Sequence, residues 1–179
     1  VVNMIDKFSL SNENDSSNHG DLVAALHESA GSNSDTHGYD SGGANNTPAL
    51  AVICKFAFAT DSNAVNHGNL SAARAYVAGT SSTTDGYTVG GGAPSAFSSI
   101  IDRFSFSSNT TAADHGDLTV ARPYLAGISN TTHGYISGGD IAGGAVSNVI
   151  DKFAYGSGAN ATDHGNLSVA RKYVAGTQL

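Results

Sequence analysis

Four histidines recur at one spacing: His19, His67, His115 and His164 stand 48, 48 and 49 residues apart, each followed by Gly and then by Asp or Asn. Imidazoles repeated in this way are the residue type for a metal ring or a pH sensor. The same residues beside Gly and Asx also shape turns, with the ring satisfying backbone groups. Rings one repeat apart are too far from one another to share an ion bonded at about 2 Å. The turn reading is therefore the stronger. His37 and His133 share a second repeat position, filled by Asp85 in between, which suits a ligand but suits a solvated turn more often. No nucleophile elbow, phosphate loop or zinc-protease motif occurs; the glycine-rich stretch 138–144 lacks the Lys and the helix that a phosphate loop needs. The run Asn12 to Asp15 carries only part of a calcium loop's alternating ligand pattern and reads as a solvated loop. The expectation is no catalytic residue, no cofactor and no metal.

A second repeated set is charged. Arg74, Arg122 and Arg171 share a position that holds Leu26 in the first copy, and Asp6, Asp102 and Asp151 share one that holds Cys54 in the second. If a unit runs from the Arg position to the following Asp position, the partners are Arg74 with Asp102, Arg122 with Asp151, and Leu26 with Cys54. Both losses then fall in one unit. A buried charge left alone costs several kcal/mol, whereas replacing both partners by apolar groups can be neutral. Joint loss predicts buried ion pairs. Arg171 and Asp6 are left at opposite ends, and they are expected to meet across a closure or from a neighbouring copy. Cys54, the one cysteine, reads as a packed small hydrophobe.

The elements that must hold these residues repeat as well. Ile5-Asp6-Lys7-Phe8, Ile53-Cys54-Lys55-Phe56, Ile101-Asp102-Arg103-Phe104 and Ile150-Asp151-Lys152-Phe153 open successive copies of a unit of about 48 residues. In the third copy, Ile100 to Phe106 is β-branched and aromatic, with Asp102, Phe104 and Phe106 on one face. Asp114 to Ala121 reads as a turn at Gly116 leading into a strand. Arg122 to Gly127 reads as a strand with Pro near its start, where a missing donor is tolerated. Thr132 to Gly139 reads as a fourth, closed by paired glycines. No stretch has helical periodicity over ten or more residues. The fold class is all-β, and a unit of four short strands buries its faces by stacking on copies of itself, which favours a β-propeller over a β-solenoid.

The motif Tyr135-Ile136-Ser137-Gly138-Gly139, echoed by Tyr87-Thr88-Val89-Gly90-Gly91 and Tyr39-Asp40-Ser41-Gly42-Gly43, resembles the double-glycine strand end of kelch repeats. Val149 to Phe153 resembles the following kelch strand, and Leu118 to Arg122 the stretch before the innermost one. The usual blade Trp is absent, so Phe and Tyr must fill its place. The Ser/Thr/Asn-rich form also resembles kelch-like repeats in structural proteins of marine phages and algal viruses. The resemblance implies four-stranded blades in a single repeat domain, 1–179. The charge phasing sets blades at 26–73, 74–121 and 122–170, with outer strands of a split blade at 1–25 and its inner strand at 171–179.

The loops after the double glycines differ most among copies, and Asn45, Asn46, Pro94, Phe97, Asp140 and Ile141 are the candidate contact residues there. A net charge of −7 with no basic cluster disfavours nucleic acid. No apolar run reaches the roughly 20 residues of a membrane span. The expected function is a non-catalytic structural or attachment module of a virion, such as a phage tail fibre, or of an extracellular assembly. Its expected partners are itself, further repeats of a longer chain, or a host-surface glycan or protein. The alternatives are a carbohydrate-binding propeller using Tyr76, Tyr124 and Tyr173, and a fragment of a larger propeller enzyme.

Overall fold

The computed structural model describes residues 2–46, 48–93 and 96–176. All regular structure in it is antiparallel β, and no helix occurs among the described residues. Strands β1 (Met4–Lys7) and β2 (Ser17–Asp21) form a two-stranded sheet. A four-stranded sheet follows, in chain order: β3 (Ala30–Asn33), β4 (His37–Ser41), β5 (Val52–Ala57) and β6 (Val65–Asn69). The next holds β7 (Ala78–Ser81) and β8 (Asp85–Val89), then, after the hairpin β9 (Gly92–Ala93) and β10 (Ala96–Phe97), β11 (Ile100–Ser105) and β12 (Ala113–Asp117). The last holds β13 (Ala126–Ser129) and β14 (His133–Ser137), then, after the hairpin β15 (Asp140–Ile141) and β16 (Ala145–Val146), β17 (Val149–Ala154) and β18 (Thr162–Asn166).

The three four-stranded sheets lie within 26–73, 74–121 and 122–170, and β1–β2 lies within 1–25. Of the inner strand expected over 171–179, residues 171–176 carry no strand and 177–179 lie outside the described residues.

The first strands of the sheets lie side by side, with β7 between β3 and β13. Glycine makes this approach possible. A Cβ at Gly79 would stand 2.1 Å from the Gly31 carbonyl oxygen, and one at Gly127 would stand 2.4 Å from that of Gly79. The faces of successive sheets bury one apolar layer each. Tyr39, Ile53 and Leu70 meet Phe104, Phe106 and Ala112 in one layer. Tyr87, Val89, Ile101 and Leu118 meet Ile136, Phe153, Tyr155 and Ala161 in the next.

Two strand readings are corrected. Gly116 is not a turn: β12 runs through it, with Ile101 opposite Gly116 and Asp102 opposite Asp114, so that His115 is the extra residue of a β-bulge. The same bulge recurs at His19, His67 and His164. A bulge re-aims one side chain, here toward the neighbouring sheet. The strand expected at Arg122 starts only at Ala126, because Tyr124 takes a φ of 62° that interrupts the extended chain.

Candidate binding face

The repeated charges lie inside the sheets. Arg122 Nη2 is 2.6 Å from Asp151 Oδ2, and both side chains are fully buried. Arg122 Nη1 also donates to the Gly138 and Val149 carbonyls and to Ser147 Oγ, while Thr119 Oγ1 donates to Asp151 Oδ1. Arg74 Nη2 is 3.1 Å from Asp102 Oδ2, equally buried but less fully bonded. Burial lowers the pKa of each Arg while its Asp raises it again. In the first sheet Cys54 is buried in the Asp position, and burial pushes its thiol up to about 11. The expected meeting of Arg171 with Asp6 is not made within the chain: both are exposed, and among the described residues neither has an ion-pair partner.

The bulge histidines bind backbone. His19, His67 and His115 donate from Nε2 to the carbonyls of Ala57, Ser105 and Ala154 at 2.7, 2.7 and 2.9 Å, each on the next sheet. A carbonyl only accepts, so Nε2 carries the proton. Each ring also stands edge-on to a Phe of that next sheet, Phe56, Phe104 or Phe153. At the second repeat position, His37 and His133 meet the hydroxyls of Thr36 and Thr132 at Nδ1, and Asp85 accepts from Thr84. Burial, then Lys55 or Lys152, lowers both of these His pKa values.

An acid that sequence comparison did not single out sits opposite Cys54 in the ladder: Asp40, where the other sheets carry Thr88 and Ile136. Burial pushes its pKa up to about 6, with hydrogen bonds from Ser29 and the Ser41 amide pulling against it. A carboxyl whose folded pKa lies above its unfolded one binds its proton more tightly when folded, so stability is lost as pH rises from about 4 to about 6. At 1.36 kcal/mol per unit, the loss is on the order of 1–3 kcal/mol for this half-buried group. Urea midpoints measured across that range should fall for the wild type relative to Asp40→Asn, and parallel curves would refute the assignment.

At one end of the first strands, a repeat position holds Glu28, Tyr76, Tyr124 and Tyr173, all at positive φ, between 55° and 62°. Bulky residues in this conformation carry strain of about 1–2 kcal/mol each. It is offset by a transverse ladder: Tyr76 N–H donates to Glu28 O, Tyr124 N–H to Tyr76 O and Tyr173 N–H to Tyr124 O, at 2.8, 3.0 and 3.2 Å. The rings follow the backbone, with centroids 4.5 and 4.4 Å apart. They line a cleft of about 220 Å³ with Glu28, Ser29, Val77, Leu125 and Val174. Lys172 Nζ stands 5.8 and 5.5 Å from the Tyr124 and Tyr173 ring centres. Burial, then the neighbouring Tyr173, raises the Tyr124 pKa. The other end of the strands opens a cavity of about 430 Å³ lined by Ser, Thr and Asn of the turns 33–35, 81–83 and 129–131, with Asp35.

The loops after the double glycines rise at the tyrosine end. Bridges His27–Ala44 and Ala75–Gly92, and the bond from Asp140 N–H to Pro123 O, tie their bases to residues next to Glu28, Tyr76 and Tyr124. Asn45 and Asn46 are exposed on the first loop, Phe97 is 43% exposed on the second, and Pro94 lies outside the described residues. Ile141 is half-buried on the third. Asp140 is corrected as a contact residue: it is buried, and its carboxylate takes Lys172 Nζ at 2.8 Å, because a desolvated acid needs a partner. The face thus presents closely spaced, mutually tilted phenol rings, Lys172 paired with Asp140, Glu28 and amide-bearing loop tips.

No protein-family model matches the sequence, and no curated protein matches it. Solved structures do. One titled "Structure of YjhT" superposes with a TM-score of 0.73 at 11% identity, over 88% of this chain and 57% of that one. Identity at that level speaks for fold alone. The chain accordingly shares an all-β architecture with that structure and spans a little over half of its length.

Proposed function

We propose that the chain is an arc of a β-propeller built of kelch-like blades, and that it serves as a non-catalytic structural or attachment module of a virion or an extracellular assembly. Support for the propeller comes from four-stranded sheets that follow one another with their first strands packed together, and from the superposition over 88% of the chain. The observation that carries the role is a division of labour. The Arg74–Asp102 and Arg122–Asp151 pairs are occupied within their sheets and His19, His67 and His115 in joining successive sheets, while the loops that vary most between repeats, those after the double glycines, stand on one end face. That face is where a partner is met. A panel of glycosidase, esterase and oxidase substrates should show no turnover above buffer. Turnover that vanishes on replacing a single non-repeated residue, Asp40→Asn being the first to try, would overturn the reading.

A carbohydrate partner is the second reading, and the tyrosine ladder favours it, because aromatic faces beside hydrogen-bonding groups are what a sugar needs. On a glycan array, Tyr124→Ala should abolish any binding that this face provides, whereas a protein partner held by the loop tips should be lost with Phe97→Ala instead.

A further inference from the structure

Between the sheet β3–β6 and the sheet β7–β12 lies a cleft of about 350 Å³, at the end opposite the tyrosine ladder, where the turns at Ser34 and Thr83 stand. The pleat decides which side chains enter it. Tyr39 stands opposite Lys55 in the ladder between β4 and β5, and His37 lies two residues from Tyr39, so all three share the face turned toward the next sheet. Tyr39 stacks on Phe106 of that sheet at 4.6 Å between centroids, which gives the cleft an apolar side. Lys55 Nζ stands 5.8 Å from the Tyr39 ring centre, and the His37 and Tyr39 rings are 6.5 Å apart. A lysine and a histidine therefore line one recess, with the Ser107 hydroxyl on the facing wall.

In a chain of net charge −7, this recess is cationic. Lys55 is half-buried and has no ion-pair partner among the described residues. Of the described residues that line the cleft none is an acid; Asp35 lines the neighbouring cavity, and Asp85 accepts from Thr84 Oγ1 at 2.7 Å. The charged groups that bear on His37 are Lys55 on β5 and His67 on β6, and after burial both lower its pKa. Thr36 Oγ1 meets His37 Nδ1 at 2.8 Å; with that hydroxyl donating, the ring proton sits on Nε2, and the neutral imidazole is still a donor. The next boundary is built differently. There Asp85 takes the place of His37, and Arg103, opposite Tyr87 in the ladder, is exposed. A negative charge that the second copy carries in its own side chain is missing from the first.

We infer that the cleft is an oxyanion site, taking a carboxylate, sulfate or phosphate group whose charge Lys55 meets and whose oxygens accept from Lys55 Nζ and the His37 ring. An ammonium is a compact point charge with three donors, and bonds of this kind, with both partners charged, are the strong ones. Ser107 Oγ adds a third donor from the facing wall when Ser105 donates to it. The Tyr39 and Phe106 rings lie beside the body of a ligand that carries the anion. Both walls come from sheets inside the chain, and none of the tyrosine-ladder or loop-tip residues takes part. Binding here and binding by the end face are therefore lost independently.

The test is NMR on the full chain, following the His37 ring and the backbone amides through titrations with sodium sulfate, sodium glucuronate, glucose and, at matched ionic strength, sodium chloride. Sulfate or glucuronate should raise the His37 midpoint by roughly half a pH unit or more, because an anion favours the imidazolium that Lys55 disfavours. The amides of 34–37 and 83–84 should move with it. A response to sulfate alone identifies the free ion as the source, and a stronger response to glucuronate identifies an acidic sugar. Lys55→Gln should weaken binding by roughly tenfold or more, the share of a charge-assisted bond, and should raise the His37 midpoint even without the anion. His37→Asp, which installs the residue of the next copy, should abolish binding while the amide spectrum away from the cleft is unchanged. A response no larger than that to chloride, an equal response to glucose, or a Lys55→Gln variant that binds as the wild type does would each overturn the inference.

Discussion

Arg122→Ala should lower the unfolding free energy by about 3–5 kcal/mol, the range for breaking a buried pair by removing one partner. Asp151 is fully buried, and so is the guanidinium it binds. The truncation leaves the acid with Thr119 alone and strips a donor from the Gly138 and Val149 carbonyls and from Ser147 Oγ. The chain itself contains the compensated alternative, Leu26 with Cys54. Arg122→Leu combined with Asp151→Cys should therefore recover most of the loss, because no charge is then left unpaired. Urea unfolding reads both as midpoint shifts at unchanged slope. A loss below about 1 kcal/mol for Arg122→Ala would place the pair among solvent-screened bridges and refute its burial.

The second large effect concerns a glycine and its own internal control. Gly68 has a φ of +146°, and a Cβ there would lie 2.3 Å from the Thr110 carbonyl oxygen of the next sheet. Gly165 has a φ of +134° and open space. Both substitutions to Ala carry the backbone cost of a region that L residues avoid, about 1–3 kcal/mol. Only Gly68→Ala also forces two sheets apart, adding about 1–3 kcal/mol of overpacking. The difference between the two variants in thermal or urea unfolding measures the contact between sheets free of the backbone term. Equal losses would show that the sheets do not meet there.

What the sequence discloses follows from what repetition can disclose. Phasing of the sheets is legible because a buried charge cannot be lost alone, so the shared exception at Leu26 and Cys54 marks two positions as belonging to one sheet. The bulge at His115 is not legible. Gly116 reads as a turn residue, yet it is glycine because a carbonyl of another sheet, at Ala159, stands where its Cβ would be. Nothing local announces the positive φ of Tyr124, whose strain is offset by bonds to Tyr76 and Tyr173 one repeat away on either side. In the sequence Asp140 reads as part of an exposed loop, because its partner, Lys172, lies 32 residues on and has no echo in other repeats. Asp40 was within reach of the same comparison that found the charge pairs, since it is an acid standing alone where the other copies have Thr and Ile.

The repeated contact also settles how stability is distributed. Each sheet touches only its neighbours, so the molecule behaves as a short one-dimensional array whose units share cooperativity across their boundaries. The sheet β7–β12 has a neighbour on either side and cannot open without surrendering both boundaries, so the Arg74–Asp102 pair inside it is guarded from water by contacts on two faces.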